Sequence, residues 1–230
     1  FVLDLADKHN TLFVIPHGRT NTDFQYAGEV DVLRVISEVK KHHKVDPDRV
    51  YLVGVSMGGA GTWQIGTHYP DLFAGIAPIN AQADWFRFWN ENFDYPPREE
   101  LPSHLETIIA MNNPLDLAQN LQNLYSYSQH AKYCFLGPEH TTETVEKLKA
   151  IGAPHDSYID PSELGHYTYW GPKPWQQAFS HLVKQRRQHQ PKEVRYATYS
   201  LRFPGAYWVR ITQFKTWGRK ASVHAVLEDL

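Results

Sequence analysis

The chain has 230 residues, 42% hydrophobic and 21% charged, a composition ordinary for a globular protein and long enough for one large domain, or one domain and part of another. Its formal net charge of −2 argues against nucleic acid as the main partner. A single cysteine, Cys134, excludes an intrachain disulfide, and no apolar run is long enough to span a membrane.

The opening FVLDLADKHN reads as the middle of a helix, so the natural N-terminus is expected upstream. Residues 11–16 (TLFVIP) are a short apolar run closed by Pro16 and Gly18, which predicts a buried strand and a loop. Over residues 27–43, Val30, Leu33, Val35, Ile36 and Val39 recur at helical spacing among charged residues. Asp46-Pro47-Asp48 makes a turn, 50–55 (VYLVGV) a buried strand, 58–69 a helix stopped at Pro70, and 73–79 (FAGIAPI) another strand. Strands and helices alternating over short turns predict a parallel sheet covered on both faces.

Residues 81–105, rich in Trp, Phe, Pro and Asn and without a period, read as an insertion or long loop above that sheet. A short helix at 118–124, a strand within 125–135, a helix at 139–151, a strand at 155–159 and a basic helix at 174–188 follow. After Pro191 the segments 194–201, 206–212 and 222–227 alternate and are rich in β-branched and aromatic residues, as antiparallel strands are. The expected organisation is therefore an α/β domain over 1–190 and the start of a β-rich domain, truncated at its end, over 191–230.

Gly54-Val55-Ser56-Met57-Gly58 has the form G-x-S-x-G and sits between a predicted strand and a predicted helix. In that context the turn lifts a serine hydroxyl clear of the sheet and aims the next backbone N–H at a developing oxyanion. Gly54 and Gly58 are the positions where the absence of Cβ lets the chains approach. Ser56 is the candidate nucleophile and Met57 the oxyanion donor. A nucleotide-binding loop fits poorly, because the glycines lack the required spacing and no lysine follows them. A serine hydroxyl needs a base, and with such elbows the histidine comes late in the chain. His166, in Glu163-Leu164-Gly165-His166 between the last predicted strand and the last long helix, fits best. His155 starts a strand, and His140 and His181 lie in predicted helices.

DPDRVYLVGVSMGGAGTWQIGTHYPDLFAGIAPI resembles the nucleophile region of prolyl oligopeptidase-like bacterial esterases, a group that includes feruloyl-esterase-like and polyhydroxybutyrate-depolymerase-like proteins. PHGRTNTDFQYAGEVDVLRVI, NNPLDLAQNL and PSELGHYTYW are similar to further stretches of the same group, so the resemblance covers most of 1–188. It implies an α/β-hydrolase fold (a mostly parallel sheet with helices on both faces, here with a partial antiparallel β segment at the C-terminus) whose N-terminal strands lie upstream. It implies hydrolysis of carboxylic esters through an acyl-enzyme, with a small-molecule or polysaccharide-linked ester as substrate and no metal or organic cofactor. The compartment stays open, secretion and the periplasm included.

Two departures stand out. Where the group carries HGDxD with the catalytic aspartate, this chain has His130-Ala131-Lys132-Tyr133-Cys134-Phe135, and no Asp or Glu occurs from Gln129 to Pro138. The group's upstream HG loop, which gives a second oxyanion donor, is also missing, since His17-Gly18 aligns with a later strand and loop. Losing the acid costs roughly 5 kcal/mol of barrier if it matches the 10⁴-fold effect seen in Ser-His-Asp proteases. Asp84 and Glu139 are the candidates for a displaced acid, while Asp116 reads as a helix cap. A Ser–His dyad and a non-catalytic binding relative are the other readings, and a peptidase of prolyl oligopeptidase type is the rival enzyme. Cys134 is a poor substitute because a neutral thiol stabilises an imidazolium weakly. Trp85, Phe86, Phe88 and Trp89 either line a substrate pocket or pack a cap.

Overall fold

The computed structural model describes residues 2–228, so Phe1 and the last two residues of the 191–230 segment lie outside it. After helix α1 (Val2–Lys8) and helix α2 (Ala27–His42), the chain forms β1 (Tyr51–Val55), α3 (Met57–His68), β2 (Gly75–Ile79), α4 (Trp85–Phe93) and α5 (Ser103–Ala110). A 3₁₀ segment, Pro114–Asn123, leads to β3 (Tyr125–Ala131), α6 (Glu139–Ala150) and β4 (His155–Asp160). Another 3₁₀ segment, Gly165–Trp170, precedes α7 (Pro172–Leu182). Four short strands close the chain: β5 (Glu193–Thr198), β6 (Gly205–Ala206), β7 (Val209–Arg210) and β8 (Ala221–Val226).

The first four strands form one parallel sheet in the order β1-β2-β3-β4, with β1 and β2 in register from Tyr51↔Gly75 to Val55↔Ile79. Alternation along the strands supplies both faces of the sheet. On one face Leu52 and Ile76 pack with Val32 of α2, Trp63 and Ile65 of α3, Leu121, and Leu148 of α6. On the other, Val53, Val55, Ala77, Ile79 and Tyr127 pack against Ala178 and Leu182 of α7. Both faces are thus apolar, and each fully buried Leu or Ile contributes about 1.5–3 kcal/mol.

Residues 11–16 form no strand, and Leu12, Val14 and Ile15 are exposed. A cavity of about 1040 Å³ is lined both by Leu12, Phe13 and Val14 and by Leu52 and Val53 of β1, and among the described residues β1, at the edge of the sheet, pairs only with β2. The region 81–105 is not a structureless loop. Asp84 caps α4 by accepting from the N–H of Phe86, and Trp85, Phe86, Phe88 and Trp89 form a cluster with Ala60, Ile109 and Ala110. Helix α7 stops at Leu182, well before residue 188, because the N–H and guanidinium of Arg187 are drawn to the carbonyls of Asp48 and Asp71. The segment 206–212 is not one strand either, since Tyr207, at φ +56°, turns β6 back onto β7 as a hairpin.

The C-terminal ribbon, β5 paired antiparallel with β8, lies against the 3₁₀ segment Pro114–Asn123 and the end of α3. Asn120 accepts from the N–H of Ala197 (2.6 Å) and donates to its carbonyl (2.9 Å). The Tyr196 hydroxyl donates to the His68 carbonyl (3.0 Å), and Phe203 stacks on the His68 ring at 3.7 Å between centroids. His68 and Glu29 form a fully buried pair, Nδ1 to Oε2 at 2.5 Å, with Arg202 at 3.4 Å from the carboxylate and the Met111 carbonyl at 3.1 Å from Nε2. Among the described residues no helix is long and apolar enough to cross a membrane.

Candidate active site

Ser56 sits between the last residue of β1 and the first of α3 with φ +54° and ψ −123°, a backbone strained for any residue with a Cβ. Its N–H is held by the Ile79 carbonyl at 2.9 Å. The glycines that permit the bend are Gly54 and Gly59. A Cβ on Gly54 would lie 2.0 Å from the Gly58 carbonyl oxygen, and one on Gly59 2.6 Å from the Ala81 Cβ. Gly58 differs from the sequence reading: a Cβ there would meet nothing nearer than Phe24 at 3.9 Å, so its part in the turn is to be approached by residue 54. Met57 opens α3, where first-turn N–H groups have no intrahelical acceptor and point along the positive end of the helix dipole.

His166 reaches this elbow from 110 positions downstream, its Nε2 2.9 Å from Ser56 Oγ. Gly165, at φ +56°, makes the approach possible, because a Cβ there would sit 2.6 Å from the Tyr133 carbonyl oxygen. The imidazole is buried, and desolvation draws its pKa below the usual value. Phe135 lies 4.5 Å from the imidazole between centroids, and Tyr169 stands edge-on at 5.6 Å. Tyr167 and Trp170 continue the rim, and with Phe135 they are largely exposed.

The atom facing His166 Nδ1 is Cys134 Sγ, at 3.0 Å. Asp84 is occupied at the start of α4, its own N–H donating to His140 Nδ1, and Glu139 is the first residue of α6. Asp116 binds Arg98 and Asn113. Of the other histidines, His155 faces the Ala153 carbonyl, and His181 the Tyr125 hydroxyl. Gly18 is turned towards α2, its N–H donating to Asp31. Burial pushes the Cys134 thiol up to about 11, the N–H of Leu136 only partly offsetting it, so the group at the third position is neutral. Two arrangements satisfy the 3.0 Å contact. With the proton on Nδ1, Sγ accepts and Nε2 is free to take the serine proton. With S–H donating to Nδ1, the proton lies on Nε2 and the base is blocked.

Sequence reasoning did not find Asn80, the residue that follows β2. It is fully buried at φ +46°, and its side chain reaches both loops of the site. Its only signal was an asparagine straight after an apolar strand, in a left-handed position that Asn tolerates. The large cavity touches the underside of the elbow at Gly54 and Gly58 but is lined by neither Ser56 nor His166, so it is a gap in packing apart from the chemistry.

A parallel sheet with helices on both faces, a strained serine at a strand-to-helix bend and a histidine brought to it from the far end of the sheet define an α/β-hydrolase. The sequence model of the prolyl oligopeptidase family matches residues 25–185, and the chain belongs to that family. It is 40% identical over 50 residues to poly(3-hydroxyalkanoate) depolymerase C of Paucimonas lemoignei, a stretch that covers 22% of this chain and 12% of that protein. It is 35% identical over 80 residues to the bifunctional acetylxylan esterase/xylanase XynS20E of Neocallimastix patriciarum, covering 33% of this chain and again 12% of the relative. The chain thus spans about an eighth of the length of these two relatives. Among solved structures, the fluorophosphonate-binding serine hydrolase F of Staphylococcus aureus superposes with a TM-score of 0.58 at 19% identity, over 78% of this chain and 74% of that one. A thermostable esterase gives 0.53 at 20% identity, over 70% and 38%. At these identities the structures speak for the fold.

Proposed function

We propose that the chain hydrolyses carboxylic esters through an acyl-enzyme on Ser56. One observation carries the reading: Ser56 Oγ lies 2.9 Å from His166 Nε2, at a bend whose strain serves to expose the hydroxyl. His166 takes the hydroxyl proton as Ser56 attacks the ester carbonyl. The Met57 N–H receives the charge that develops on the carbonyl oxygen, and His166 returns the proton to the leaving alkoxide. Water then repeats the cycle on the acyl-enzyme. With a neutral thiol behind the imidazole, the imidazolium formed in each transition state is less stabilised than by a carboxylate, and turnover is slow.

The exposed rings of Phe135, Tyr167 and Trp170 beside His166 favour a substrate with flat faces, such as a polysaccharide-linked or aromatic ester, and the esterase names among the relatives point the same way. Amide cleavage is the lesser reading, because an amine leaves less readily than an alkoxide from a site with a weakened acid–base pair. The test compares a p-nitrophenyl ester with the matching peptide p-nitroanilide, alongside fluorophosphonate labelling of the parent chain and of Ser56→Ala. Ester turnover and labelling that both vanish in Ser56→Ala are the expected result. A parent chain that folds yet neither labels nor turns over ester would instead make this a binding relative.

A further inference from the structure

The structure assigns to Asn80 the positioning of the catalytic histidine, an inference that rests on the serine-hydrolase reading above. Asn80 is the point at which the three segments of the site meet. Its Nδ2 donates to the backbone carbonyl of His166 itself (2.9 Å) and to the Thr168 hydroxyl (2.8 Å), using both amide hydrogens on the turn that carries the imidazole. Its Oδ1 accepts from the N–H of Ala131 (2.8 Å), where the loop leading to Cys134 begins. Its backbone N–H donates to Gln129 in β3 (2.8 Å), and its chain neighbour Ile79 holds the N–H of Ser56 (2.9 Å). The side chain is fully buried and its three strong hydrogen-bonding positions are engaged.

The need for such a strut follows from the thiol. In a Ser-His-Asp site the carboxylate both stabilises the imidazolium and fixes the ring. Cys134 offers only a weak acceptor, so the imidazole takes its aim from its own backbone, and Asn80 sets that backbone. Displacing a catalytic group by about 1 Å can cost 10²-fold in rate.

The experiment removes the side chain without straining the backbone. Asn80→Gly keeps the residue free to hold φ +46°, and Thr168→Val removes only one acceptor. The control is Asn120→Ala, an equally buried asparagine whose amide bridges Thr67 and Ala197 away from the site. Each variant is assayed well below its own melting temperature for kcat, KM and the rate of fluorophosphonate labelling. The expected result is a fall of about 10- to 100-fold in kcat and labelling rate for Asn80→Gly, with KM within about 2-fold of the parent. Thr168→Val should fall less, and Asn120→Ala should stay within about 3-fold despite its own loss of stability. Should Asn80→Gly not fold, Thr168→Val against Asn120→Ala decides. An unchanged kcat in folded Asn80→Gly, or an equal loss in Asn120→Ala, overturns the inference alone. A parent chain that does not label overturns the hydrolase reading and this one with it.

Discussion

Cys134 Sγ lies 3.0 Å from His166 Nδ1, so a thiol occupies the place from which a carboxylate would steer the base. Installing the carboxylate should restore what the thiol lacks. Cys134→Asp is expected to raise kcat/KM for a p-nitrophenyl ester by about 10- to 100-fold, a fraction of the 10⁴-fold that the acid is worth in serine proteases. Cys134→Ala should stay within a few-fold of the parent. Steady-state kinetics on the three proteins provide the check, and a Cys134→Asp variant slower than the parent would show that the site is not limited by its third member.

The acid side of the pH profile follows from burial. His166 must be neutral to act as base, and desolvation lowers its pKa. Activity should therefore persist below the usual imidazole midpoint and be lost only as pH falls through the depressed value. In Cys134→Asp the new negative charge favours the imidazolium, and the acid limb should move to higher pH. Profiles of kcat/KM against pH for both proteins test the two directions together.

Gly165 and Gly152 both have positive φ, +56° and +67°, but only Gly165 is crowded. Gly152→Ala should lose about 1–2 kcal/mol of stability from the left-handed backbone and leave turnover unchanged. Gly165→Ala also drives a methyl against the Tyr133 carbonyl. It should reduce kcat by about 10²-fold through displacement of His166. Urea denaturation and ester kinetics on the pair separate backbone strain from misplacement.

The buried Glu29–His68 pair predicts an acid-labile fold. Burial alone would raise the Glu29 pKa, but the hydrogen bond and charge of His68, with Arg202, more than offset it, and the folded-state value is lowered. The stability it supplies is complete above the ordinary carboxylate value of 4.5 and is lost as pH falls through the lower folded value. Glu29→Gln removes the buried carboxylate that faces His68 Nδ1, the Tyr69 hydroxyl and Arg202. It should cost about 1–3 kcal/mol at pH 7, read as a lowered urea midpoint.

The elbow and its surroundings were legible in the sequence because local chemistry dictates them. Gly54 and Ser56 between an apolar strand and a helix admit few other turns, and the helical period of 27–43 is close to the observed α2. What was not legible depends on partners distant in sequence. Residues 11–16 have the composition of a strand, but a strand exists only where a neighbour offers hydrogen bonds. Within 81–105 the helical period is confined to the nine residues of α4, too short a run to stand out between irregular flanks and the Pro96-Pro97 break. Asn80 carries only the faint signal of an asparagine straight after an apolar strand, and Cys134 is placed by resemblance alone; their significance is the 2.8–3.0 Å contacts they make across the ends of the sheet.

Helix α3 is fastened at both tips. Its first turn holds the Met57 amide next to Ser56, and its final residue, His68, is gripped by Glu29, Phe203 and Tyr196. The terminal ribbon therefore holds α3 in the fold from the tip remote from Ser56, while the place of the elbow itself is fixed at the near tip by the Ser56–Ile79 hydrogen bond, so loosening the ribbon is felt as lost stability before it is felt as lost turnover.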